Sequence, residues 1–189
     1  MDEHADMKVR TEPQPAAAKL WVALHVAGTA LFVLIVASRV LAASHETAPG
    51  AFAAHCFSPV LTADTAAERL APARVDFHDL RPFRAGTPVS EPVGRPVTPG
   101  TDRRCEIAFD GAHIEAGTHA ARSGLQREGI LAEAALPTGF PTQPGAEFVA
   151  ARYLDPNRIA VVQVGTRPGP DGIETFINVE RLEPSEDQN

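Results

Sequence analysis

After a polar start the chain runs without a charge from Leu20 to Ser38, nineteen residues reading LWVALHVAGTALFVLIVAS. Val40, Leu41, Ala42 and Ala43 carry the apolar run past a single Arg39. A helix over Leu20–Ala42 would measure about 34 Å, enough for a hydrocarbon core of roughly 30 Å. A single transmembrane signal-anchor helix is therefore expected over residues 19–43. A cleaved signal peptide is the competing reading, because Val40-Leu41-Ala42 and Leu41-Ala42-Ala43 resemble cleavage sites. The length of the apolar run and the acidic region before it favour the anchor.

Beyond the span the pattern becomes that of a folded domain. Ser44 to Ala54 is expected to be a linker, with Pro49-Gly50 breaking any helix that continues from the span. Thr62 to Leu70 reads as a short helix with Thr62 as its N-cap. Arg74 to Leu80 alternates as a strand would, and so does Arg104 to Phe109, with Cys105, Ile107 and Phe109 on one face. Between them Arg81 to Gly100 is rich in Pro and Gly, and too long for an ordinary connection. It is expected to be either a binding loop or an ordered surface wrap. Ala120 to Ala135 carries a helical face through Ala121, Leu125, Glu128 and Ala132, weakened by Gly124 and Gly129.

The C-terminal third is the clearest. Glu147–Leu154, Arg158–Thr166 and Glu174–Leu182 are three strand-like runs, with turns at Asp155-Pro156-Asn157 and Arg167 to Gly172. Ile159 to Val164 is apolar at nearly every position, as a strand covered on both faces should be. The fold class expected is α+β: an antiparallel sheet with a C-terminal three-stranded meander, packed with one or two helices. The organisation expected is a flexible tail over 1–18, the span, the linker, an extracytoplasmic domain over 55–183 and a disordered end over 184–189.

Charge sets the orientation. Lys8, Arg10 and Lys19 precede the span, and after Arg39 no Lys or Arg occurs until Arg69. Basic flanks are retained in the cytoplasm, which places the short tail inside and the domain outside. Fifteen Arg against two Lys is the usage of a GC-rich bacterial genome, so the expected location is a bacterial inner membrane with the domain in the periplasm. From residue 44 on, 13 Arg face 20 Asp and Glu, and such an acidic domain is repelled by nucleic acid.

Cys56 and Cys105 are the two cysteines, both beyond the span. In an oxidising compartment they are expected to form one disulfide, which leaves no thiol nucleophile.

The remaining candidates are few. His25 is ionisable and lies within the span, where such a residue can be a haem ligand, a proton relay or an interhelical hydrogen-bond donor. With Ala23, Ala27 and Gly28 it marks a packing face narrow enough for a partner helix to approach. Asp76, His78, Asp79 and His113 are weak metal candidates, with Asp110, Glu115 and His119 nearby in sequence. A site would need three or four of them to converge, and a solvated acidic surface is the plainer expectation.

There is no GxSxG, and Gly165 to Gly172 lacks both the spacing and the Lys of a phosphate loop. It reads as a hairpin loop whose Arg167 is available to a partner's carboxylate. No cofactor is expected.

The function expected is a non-catalytic accessory, assembly or scaffolding protein of a membrane complex. Its partners would be integral membrane proteins, met through the span and the outer domain. The rivals are a tethered metal-dependent enzyme using Asp76, His78, Asp79 and His113, and a ligand-binding module whose site is the Arg81–Gly100 loop.

Overall fold

Thr47 opens the first helix by accepting a hydrogen bond from the Gly50 N–H on its Oγ1, at 3.3 Å. The computed structural model describes residues 47–93 and 95–182 of the chain. The expected tail and span, with Ala23, His25, Ala27 and Gly28, and the residues from 183 on lie outside the described residues. Among the described residues no helix is long and apolar enough to cross a membrane.

The first helix, α1 (Ala48–His55), occupies most of the segment expected to be a linker. Pro49 begins this helix instead of ending one. In the first turn its missing N–H would have had no intrahelical acceptor, and its fixed φ suits the helix. Ala51 and Phe52 are completely buried.

The second helix, α2 (Ala63–Arg69), starts where expected, with Thr62 and Thr65 exchanging hydrogen bonds at its N-terminus.

Five strands form one antiparallel sheet in the order β1-β2-β5-β4-β3: β1 (Arg74–Asp79), β2 (Thr101–Asp110), β3 (Ala146–Asp155), β4 (Arg158–Gly169) and β5 (Gly172–Leu182). The β3-β4-β5 meander is the one that periodicity predicts. β2 pairs with β5, and β1 pairs with β2 to complete one edge.

The third helix, α3 (Ile114–Arg127), begins six residues before the predicted start and ends eight before the predicted end. Gly129, at φ +70°, stops it in a conformation that other residues rarely adopt. The two glycines inside it are demanded by packing. A Cβ on Gly117 would stand 2.7 Å from Val164 Cγ1, and one on Gly124 would stand 2.3 Å from the Phe57 ring.

The pleat sends alternate residues to opposite faces. One face carries Cys105, Ile107, Ala160, Val162, Val164, Ile177 and Val179 against Phe52 of α1 and Ala120, Ala121 and Leu125 of α3, and this is the main core. The other face is polar and yet buried. Arg104, His78, Asn178 and Glu180 are all completely inaccessible, and Glu106 nearly so.

Arg104 organises that second layer. Its Nε donates to Glu180 at 3.1 Å, and its Nη1 to Asp76 at 3.1 Å and to the Arg95 carbonyl at 3.0 Å. Its Nη2 donates to the Pro96 carbonyl at 2.7 Å. A buried guanidinium is tolerable only when paired and hydrogen-bonded in this way. The Pro-rich stretch is thus an ordered wrap, fixed to the sheet by its own carbonyls. A smaller apolar cluster, Ala151, Ile159, Val161 and Leu182 beneath Ala134 and Phe140, closes the far end of this face. β4 is accordingly buried on both sides, as its composition requires.

Candidate functional site

Cys56, at the end of α1, and Cys105, in the middle of β2, are joined in a disulfide with Cα atoms 5.5 Å apart. This is the disulfide expected from the sequence.

The four metal candidates are separated by the pleat and by distance along the fold. Asp76 and His78 lie on the loop-covered face of β1, whereas Asp79 points to the helical face. Asp76 accepts from Arg104. His78 is completely buried, with neither ring nitrogen hydrogen-bonded. Burial first, and then the charge of Arg104, hold its pKa below the ordinary histidine value. His113 precedes α3, stacks on Phe109 with ring centroids 6.1 Å apart, and donates its backbone N–H to Thr175 Oγ1 at 2.7 Å. His119 is one turn from Ser123 on the exposed side of α3, 3.4 Å from its hydroxyl. Among the described residues no three His, Cys, Asp or Glu side chains come together as a ligand set.

Arg167 is likewise committed within the fold. It donates to Glu174 at 2.6 Å and to Glu106 at 2.7 Å, with its guanidinium 5.2 Å above the Phe176 ring.

Chemistry collects instead beside the disulfide. On the helical face the cross-strand row runs Asp79, Arg103, Arg181, Ala160 through β1, β2, β5 and β4. A β-bulge between Thr101 and Arg103 adds a second acid. The extra residue, Asp102, joins the arginine row, as bulges often re-aim a side chain.

Asp79 then accepts from Arg103 and Arg181, each at 3.1 Å. Asp102 accepts from Arg181 Nε at 2.5 Å and faces Arg158 Nη2 at 3.6 Å. The charges alternate Arg103, Asp79, Arg181, Asp102, Arg158. Arg103 also donates to the Ser58 carbonyl at 2.7 Å and lies over the Phe77 ring. Burial pushes its guanidinium down to about 10, against the opposing pull of Asp79.

A cavity of about 330 Å³ opens against this ladder, between the disulfide, Phe57, Phe83, Ile130 and Leu154 on its apolar side and Arg103, Arg158 and Arg181 on its charged side. Its volume falls at the small end of the range of ligand sites, roughly 300–1,000 Å³. Sequence reasoning missed these arginines, because a lone exposed Arg is uninformative. The available signal was the run Asp102-Arg103-Arg104, three charges in a row at a strand start, which strict alternation with one apolar face cannot accommodate.

No family model matches the chain, and neither a curated protein nor a solved structure matches it at a significant level.

Proposed function

We propose that the chain is a single-pass accessory or scaffolding subunit of a bacterial inner-membrane complex, with a periplasmic interaction domain. The observation that carries the reading is the Cys56–Cys105 disulfide. Disulfides form and persist in oxidising compartments, and this one belongs to the part of the chain that follows the basic-flanked apolar run.

A second support comes from the Pro-rich wrap. Val89 and Val93 stand exposed on a segment whose backbone is held by Arg104 at Arg95 and Pro96. Apolar side chains on a backbone that is already fixed lose little freedom on docking, which suits them to recognise a protein surface.

The test has two parts. Alkaline phosphatase fused after Leu182 should be active and a fusion after Thr11 inactive; the opposite result overturns the topology. Extraction in mild detergent should then retain a membrane partner. Ala27→Leu with Gly28→Leu should reduce its recovery, because bulky residues forfeit the close packing of the span. Val89→Ser with Val93→Ser should reduce it through the outer domain.

A further inference from the structure

We propose that the cavity beside the disulfide binds a small carboxylate with an apolar body, its anionic head on Arg158. The charge ladder described above ends on this residue. Arg103 and Arg181 each have hydrogen-bonded carboxylate and carbonyl partners, whereas among the described residues Arg158 has one ion pair, to Asp102 at 3.6 Å. That distance is too long for a hydrogen bond, and Asp102 Oδ2 is buried without a hydrogen-bond partner.

Three guanidiniums thus share two buried carboxylates, and Arg158, at the end of the ladder, is the most weakly paired of the three. Glu128 and Asp155 also reach the rim, but both are exposed. Asp155 stands opposite Arg158 in the β3–β4 register, and its carboxylate accepts from the Asn157 N–H at 2.7 Å. A guanidinium with free donors at the edge of a partly desolvated pocket is suited to bidentate capture of a carboxylate.

The rest of the wall selects the body of the ligand. Phe57, Phe83, Ile130 and Leu154 face the same cavity and offer apolar surface without hydrogen-bonding demands. An inorganic anion would leave that surface wet, and a neutral apolar molecule would offer the Arg158 donors no anionic acceptor. The chemistry common to both walls is found in a free apolar carboxylic acid and in the C-terminal residue of a polypeptide.

Titration of the purified full-length chain by calorimetry with hexanoate, hexanamide, and acetyl-Ala-Leu as free acid and as amide tests the site. Saturable binding of at least one acid, with its amide at least tenfold weaker, is expected, and the tighter acid identifies the source. Arg158→Gln should weaken the acid by about tenfold or more, the value of one charge-assisted hydrogen bond. It should leave the circular-dichroism spectrum unchanged, since the side chain sits at the rim. Phe83→Ala, at a residue 69% exposed, should weaken hexanoate and leave the fold intact. Absence of saturation by both acids, equal binding of acid and amide, or equal binding by the wild type and Arg158→Gln would overturn the proposal. Each reading is independent of partner recovery and of topology.

Discussion

Arg103 of β2 and Arg181 of β5 stand directly opposite each other across the sheet, and the Asp79 carboxylate accepts a hydrogen bond from both at 3.1 Å. Two like charges in that register repel, so the pair is stable only with the acid between them. Asp79→Asn should therefore lower stability by about 3 kcal/mol or more, the usual result of removing one partner from a buried ion pair. Urea unfolding of the variant measures it; a change within experimental error would mean that water already screens the two guanidiniums.

The disulfide spans 49 residues of sequence. In the chain-entropy account, closing a loop of that size contributes about 4 kcal/mol, by restricting the unfolded chain. Cys56→Ser with Cys105→Ser should lose stability on that scale, and so should the wild type under reductant. A double variant that melts with the oxidised wild type would show that the bond adds nothing to the packing of α1 on β2.

Gly117 and Gly124 offer a test in which helix propensity and packing oppose each other. Inside a helix Ala is favoured over Gly by about 1 kcal/mol. Here the added methyl would collide with Val164 in one case and with the Phe57 ring in the other. Gly117→Ala and Gly124→Ala should each destabilise by roughly 1–3 kcal/mol, as overpacked cores do. A raised melting temperature in either variant would mean that the neighbouring side chains yield freely.

His78 should make stability depend on pH near neutrality. Its folded pKa lies below 6.5, burial being the main cause and the charge of Arg104 the next. The unfolded chain then binds the proton more readily than the folded one, so stability is fully present above about pH 6.5 and is lost as pH falls from there towards the folded value. His78→Leu should flatten the melting temperature between about pH 7 and pH 5.5. An unchanged slope in that variant would assign the acid sensitivity to other groups.

Much of the sheet is legible in the sequence. β3, β4 and β5 follow from alternation and from the turn residues between them, and β4 declares its two-sided burial through its unbroken apolar run. The start of α2 is equally plain in Thr62.

What escapes local pattern depends on what lies across space. Pro49 reads as a breaker unless Thr47 is known to cap the turn before it. Gly117 and Gly124 read as weak points until Val164 and Phe57 are seen against them. Arg104 and Glu106 alternate with apolar residues as exposed positions would, but the wrap from Arg81 to Gly100 covers them. The candidate site is the extreme case. Its arginines come from three strands, and its second acid owes its orientation to a bulge that no local pattern announces.

The bond between Cys56 and Cys105 also fixes how the domain would respond to mechanical load. A pull on the backbone ahead of α1 reaches Cys56 and passes through sulfur to Cys105, bypassing α2, β1 and the Pro-rich wrap. The load enters β2 at Cys105, between its two neighbours, β1 and β5. In single-molecule stretching the oxidised domain would release a contour shorter than the reduced one by roughly 170 Å, the extended length of the 49-residue bypass. The arginine ladder includes Arg103, two residues from Cys105 on β2, and so lies beside the point where that load enters.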